Sequence, residues 1–221
     1  MDREPPARGD SSTRRPHGHH ALAPRRQDRA LSREAVRQMT IRVAFLRAVN
    51  LGKRRVSMAT LVEVVERLGY DGVWTHVNSG NVVFDATGGR DAIEHRLERG
   101  LETAVGFEVT TFVRTATELR QAIAVEPFPV GTGDTYFLTF LKSAPTPAQR
   151  RALEGLTNEF DTLVVKGRDV HWRMRGKSTD TKLKTKDWEL IIGRHQSTSR
   201  NMTMLRRLVA KVNARGSRSN R

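Results

Sequence analysis

Two short stretches carry the groups that bind anions. "NLGKRR" (50–55) ends an apolar run and sets Asn50 and Gly52 beside three successive cations, Lys53, Arg54 and Arg55. "NSGN" (78–81) adds Ser79, Gly80 and Asn81 in what reads as a tight turn. Phosphate and carboxylate oxygens accept hydrogen bonds from amides, hydroxyls and glycine-exposed backbone N–H groups, while guanidinium and ammonium groups supply the opposing charge. Arg47, at the end of the first apolar run, offers the same chemistry. So do Arg200 and Asn201 in "STSRNMTML" (197–205). A structural reading stands beside this one, because Asn-Gly sequences make turns and Ser, Thr and Asn cap helices.

Catalytic and metal chemistry find less support. His76, His95, His171 and His195 are scattered, with neither an H-E-x-x-H pattern nor a ligand spacing. Ser79 lacks the G-x-S-x-G setting of a nucleophile elbow. "MRGKSTDTK" (174–182) resembles the end of a phosphate-binding loop, but His171 stands where the upstream glycine is needed. Lys177, Lys182, Lys184 and Lys186 read as a solvated face. No catalytic residue, metal ligand or cofactor is assigned.

The chain of 221 residues has 39 Lys and Arg against 24 Asp and Glu, a net charge of +15. That excess favours anionic partners, namely nucleic acid or phosphorylated small molecules. Cysteine is absent, so no disulfide or thiolate-metal framework exists. No apolar run is long enough for a membrane span, and the polar start "MDREPPARGDSSTRRPHGHH" is unlike a signal peptide. A cytoplasmic protein with no membrane partner is expected. Nothing in the sequence sets an oligomeric state.

The elements that must position these residues follow from periodicity. Residues 1–38 lack an apolar period and read as a disordered basic extension. Met39 directly precedes the first strand-like run, as it would if the working chain began there. From there the order is strand (41–49), helix (57–69), hairpin (73–77 and 81–86), helix (90–106), strand (108–115) and helix (116–125). A similar order restarts with a strand (135–141), a helix (146–156) and a hairpin (161–174). Two helix-like segments (185–195 and 200–212) follow. The fold class is therefore α+β, with duplicated ferredoxin-like (βαββαβ) halves, antiparallel sheets and a C-terminal helix. The halves would span 39–127 and 128–221, with a basic tail from about 213. The last strand of the second half is expected to be missing or replaced by helix, and the duplication shows in pattern without a strong residue-level repeat. This topology puts "NLGKRR", "NSGN" and the helix opening at Ser57 at one sheet edge. "NVVF" (81–84) is apolar on both faces, which argues for two covered sheet faces and for edge binding over sheet-face binding of RNA.

"FLRAVNLGKRRVSMATL", "VNSGNVVF" and "TSRNMTMLRRL" together resemble the bacterial family called domain of unknown function 1697, over about residues 40–212. The family opening Leu-Arg-Gly-Ile-Asn-Val-Gly-Gly stands here as Leu46 to Lys53, with Ala48 and Lys53 as departures. Its Ser-Gly-Asn element matches Ser79, Gly80 and Asn81, and its Thr-x-Arg-Asn element matches Thr198, Arg200 and Asn201. The resemblance implies a cytoplasmic α+β protein of ferredoxin-like halves and names no reaction. Taken together, these readings point to a binding module for a phosphate-bearing ligand, nucleotide or nucleic acid. Its expected contacts are Arg47, Asn50, Gly52, Lys53, Ser79, Gly80, Asn81, Arg200 and Asn201. The alternatives are an enzyme on a small anionic substrate, or a structural or interaction protein.

Overall fold

The computed structural model describes residues 39–47, 49, 56–77 and 80–219. The basic extension and the expected site residues Asn50, Gly52, Lys53 and Ser79 lie outside them. The first half contains β1 (Thr40–Leu46), α1 (Met58–Arg67), β2 (Asp71–Thr75), β3 (Asn81–Ala86), α2 (Arg90–Val105), β4 (Thr111–Thr115) and α3 (Ala116–Ala124). The second contains β5 (Thr135–Leu141), α4 (Pro147–Glu154), β6 (Asp161–Lys166), β7 (Asp169–Met174), α5 (Thr185–Ile192), β8 (Ser197–Asn201) and α6 (Met202–Ser219).

Local chemistry accounts for the boundaries. Ser57 caps α1 by accepting from the Thr60 N–H at 2.9 Å. Thr115 and Thr146 open α3 and α4 through capping boxes with Glu118 and Gln149. Gly106, in the left-handed region, ends α2.

The strands form two four-stranded antiparallel sheets, in the orders β2-β3-β1-β4 and β6-β7-β5-β8. Both halves thus follow the expected βαββαβ pattern. One expectation is corrected: the second half keeps its last strand. β8 pairs with β5 from Phe137–Asn201 to Leu141–Ser197. The apolar alternation that announces a strand is absent from "STSRN" because its inward residues are Thr198 and Arg200, buried with their polar atoms hydrogen-bonded.

Side chains alternate across each strand, so every central strand feeds two cores. Ala44 and Leu46 pack beneath α1 and α2 with Leu61, Phe84 and Leu97. On the far side of the second sheet, Leu141, Leu153, Val165 and Trp188 make a smaller outer core. Between the sheets, Val43, Phe45 and Val83 meet Leu138 and Phe140, and α3 and α6 fill the flanks with Leu119, Leu205 and Leu208. At the centre the rings of Phe45 and Phe140 stack 4.2 Å apart and 9° from parallel. Both faces of β3 are covered.

Two of the edge strands, β4 and β6, have outward N–H groups taken by side chains. Glu94 and Glu98 of α2 accept from the N–H groups of Val113 and Thr111 on β4, each at 2.8 Å. Lys142 bonds both carboxylates, at 2.8 and 2.7 Å. On β6 the Val165 and Leu163 N–H groups go to Glu154 and the Thr157 hydroxyl. Such pairing hides the donor rows that would otherwise recruit another strand. Among the described residues no helix is long and apolar enough to cross a membrane.

Phe140 is fully buried against Phe45. Phe140→Ala is expected to cost about 3–5 kcal/mol in urea denaturation, through lost burial and a cavity at the junction of the sheets. A loss under about 1 kcal/mol would refute the central role of this stack.

Candidate functional site

β1 and β2 run the same way, so the end of β1 and the β2–β3 turn share an edge. The Leu46 N–H donates to the Gly80 carbonyl at 2.8 Å. Gly80 has φ +69°, and a Cβ on it would lie 2.6 Å from Val49 Cγ2 and 3.1 Å from Leu46 Cβ. Both the conformation and the close approach require glycine. The flanks of the two motif loops are therefore neighbours, as the topology implies.

Into this corner reaches Arg200, from β8 of the other half. Its Nε donates to Asn81 Oδ1 at 2.6 Å, and Nη2 donates to the Leu46 carbonyl at 2.8 Å and reaches the Gly80 carbonyl at 3.5 Å. Nη1 donates to Thr198 Oγ1 at 2.8 Å and to the Ser199 carbonyl at 2.9 Å. The guanidinium carbon lies 5.5 Å from the centre of the Phe45 ring. Burial lowers the Arg200 pKa to about 10, which leaves it a cation at neutral pH.

Asn81, fully buried, donates from Nδ2 to the His76 carbonyl at 2.9 Å. Arg47 donates to the Ser197 carbonyl at 2.7 Å and pairs with Glu189 at 3.3 Å. Asn201 accepts from the Thr203 N–H at 2.9 Å and serves the start of α6. Of the expected contacts, the structure gathers Arg47, Gly80, Asn81 and Arg200, and it turns Asn201 to its own helix. These polar atoms are directed at protein groups, so they shape the corner.

The same construction recurs at the opposite corner, which no motif in the sequence announces. Arg114 of β4 donates to Asp169 Oδ1 from Nε at 3.2 Å and from Nη2 at 2.9 Å. Nη2 also reaches the carbonyls of Leu141 and Arg168, each at 3.1 Å. Its guanidinium carbon lies 5.1 Å from the centre of the Phe140 ring. The Leu141 N–H donates to the Arg168 carbonyl at 2.9 Å, as Leu46 does to Gly80. Arg114 thus stands to Leu141, Arg168 and Asp169 as Arg200 stands to Leu46, Gly80 and Asn81. A residue-level trace of duplication does exist. Phe45-Leu46-Arg47 answers Phe140-Leu141-Lys142, and Arg-x-x-Thr-x-Leu occurs at 114–119 and 200–205.

Each corner also holds a buried histidine among cations. Burial lowers the His76 pKa, helped by Lys211 and Arg207 of α6. Burial, with a contribution from Lys166, lowers His171 to about 4, and its Nδ1 lies 2.5 Å from the Tyr136 hydroxyl. The Asp169 carboxyl is pushed up by burial against the pull of Arg114.

Arg200→Ala removes the guanidinium donors to the Leu46 carbonyl and the Asn81 amide oxygen, and is expected to cost about 3–5 kcal/mol. Arg200→Lys should not rescue it, because lysine has no fork. A double-mutant cycle of Arg200→Ala with Asn81→Ala should give a coupling above about 1 kcal/mol; additivity would refute the clasp. His171 supplies a pH test. Its folded pKa of about 4 lies below its ordinary value of 6.5, so the unfolded chain binds the extra proton between them. Stability is therefore present above pH 6.5 and lost as pH falls toward 4, by on the order of 3 kcal/mol. Urea midpoints across that range check it, and a slope unchanged in His171→Leu would refute the assignment.

Residues 39–171 match the family described as "Protein of unknown function (DUF1697)". That span contains the first two motifs, while Arg200 lies beyond it. The solved structure of the conserved bacterial protein SP0830 from Streptococcus pneumoniae is similar in fold, with a TM-score of 0.60. The likeness covers 79% of this chain and 99% of that one at 17% identity. No curated protein matches the chain. Since the family match spans more than half of its length, the chain belongs to the DUF1697 family.

Proposed function

We propose that this protein is a cytoplasmic binding module for a phosphate-bearing anionic ligand, a nucleotide or nucleic acid, at the edge that "NLGKRR" and "NSGN" share. The observation that carries the reading is that one buried arginine from the far half pins the flanks of both motif loops. Rigid flanks give a preorganised frame, and preorganisation lowers the cost of ordering a binding loop. In sequence, Lys53, Arg54 and Arg55 fall between Val49 and Val56. Arg207 and Lys211 add charge near His76, just before the β2–β3 turn. In this reading Arg47, Gly80, Asn81 and Arg200 position the loops, while Asn50, Gly52, Lys53 and Ser79 meet the ligand.

A second reading has its own support. All three nitrogens of the Arg200 guanidinium donate to protein acceptors, which is what a motif serving only the contact between halves would show. Fluorescence anisotropy with short RNA, short DNA and labelled nucleotides separates the two. At about 50 mM salt binding is expected, falling steeply by about 500 mM as counterion release requires. Replacing Lys53, Arg54 and Arg55 together by alanine should weaken it at least tenfold with the melting temperature unchanged. No binding at low salt, or binding indifferent to that variant, would leave the structural reading standing.

A further inference from the structure

We infer that the opposite corner, the cleft between α3 and the β6–β7 hairpin, is a second anion site, built for the phosphoryl group of a small ligand. The cleft has a volume of about 240 Å³ and is walled by Arg114, Gln121, Lys166, Arg168 and His171, with Glu118 and Asp169 beside them. Both carboxylates are already engaged: Asp169 with Arg114, and Glu118 with Arg168 at 2.9 Å. Three cations against two carboxylates leave the walls with one net positive charge.

Unused donors point to the ligand class. Arg168 Nη1 is buried and has no hydrogen-bond partner among the described residues, and the same holds for His171 Nε2. Arg168 also lies close to two other guanidinium groups, Arg114 and Arg90. Burial holds the Tyr136 hydroxyl protonated, with its pKa raised to about 12. That hydroxyl is hydrogen-bonded to His171 Nδ1, 2.5 Å away, which leaves Nε2 as the ring's remaining polar atom. Arg168, His171 and the exposed Lys166 thus line a cleft whose two carboxylates are already engaged by Arg114 and Arg168, while Arg168 Nη1 and His171 Nε2 remain unpartnered among the described residues. A buried donor without an acceptor costs about 1–3 kcal/mol, and a tetrahedral oxyanion supplies several acceptors at once.

The volume limits the choice further. Sites for drug-sized molecules run from about 300 Å³ upward, so this cleft suits phosphate, pyrophosphate or the phosphate end of a small monoester. The other corner repeats the chemistry, since buried His76 also has Nε2 unpartnered among the described residues and lies near Arg207 and Lys211.

Isothermal titration calorimetry and thermal melting of the full chain test the site with inorganic phosphate and pyrophosphate against sodium chloride at matched ionic strength. A saturable heat and a saturable rise in melting temperature are expected. Lys166→Ala and Arg168→Ala should each weaken affinity at least tenfold. Should Arg168→Ala fail to fold, Lys166→Ala, at an exposed position, carries the comparison. Alanine at Lys53, Arg54 and Arg55 should leave phosphate binding here unchanged, which separates this site from the proposed function. The inference is overturned by the absence of saturable heat at millimolar phosphate, by affinity unchanged in the Lys166 variant, or by loss of binding in the Lys53–Arg55 variant. Displacement of phosphate by a short oligonucleotide would assign the site to a polymer backbone and overturn the small-ligand class.

Discussion

Two buried guanidinium groups on either side of a stacked phenylalanine pair hold this molecule together. Arg200 lies over Phe45 and Arg114 over Phe140, while the two rings lie on each other. A guanidinium is costly to bury, and the cost is offset only when its donors find acceptors in the right plane. Here the acceptors are the last carbonyl of a central strand, a hairpin carbonyl and the first side chain of the next strand. Each arginine belongs to one half and its acceptors largely to the other, so forming either half's corner requires the partner half in place. The two corners differ in one respect. Arg114 meets the carboxylate of Asp169, and Arg200 meets the neutral amide of Asn81. The amide's remaining donors hold the His76 carbonyl, which the carboxylate has no means to do.

This arrangement explains why three motifs far apart in sequence occur together. Leu46, Gly80 with Asn81, and Arg200 are the pieces of a single contact. Their residue types follow from it: a glycine because Val49 and Leu46 crowd the turn, an asparagine because its amide accepts on one side and donates on the other, an arginine because one fork must serve acceptors in both halves. The proposed anion binding draws on a different feature of the sequence, the run of cations Lys53, Arg54 and Arg55.

Much of the fold was legible in the sequence. The helices after Ser57 and Thr146 announced themselves through apolar periodicity, and the hairpins through turn residues between β-rich runs. β8 did not, because its inward side chains are a threonine and an arginine whose burial depends on partners more than a hundred residues away. The edge shared by the two motif loops followed from topology alone. The identity of the residue that locks it did not, since nothing local marks Arg200 as crossing to the other half. The duplication was legible in the order of elements, but its residue-level trace was not. That trace lies in the side chains that make the clasp and in a few core positions beside them, such as Leu46 and Leu141 or Leu119 and Leu205.

The two clasps have the geometry of an isologous interface, in which the same patch meets itself across a two-fold axis. The stacked rings of Phe45 and Phe140 lie at the centre, with a guanidinium over each. In a pair of identical subunits such contacts are forced to be alike. Here one chain carries both copies, and the link through residues 125–134 frees each to diverge, as the carboxylate in one corner and the amide in the other already have. The molecule is thus organised as a dimer would be, with its two subunits joined into one polypeptide. A cut in that link would leave two pieces whose proper folding partner is each other.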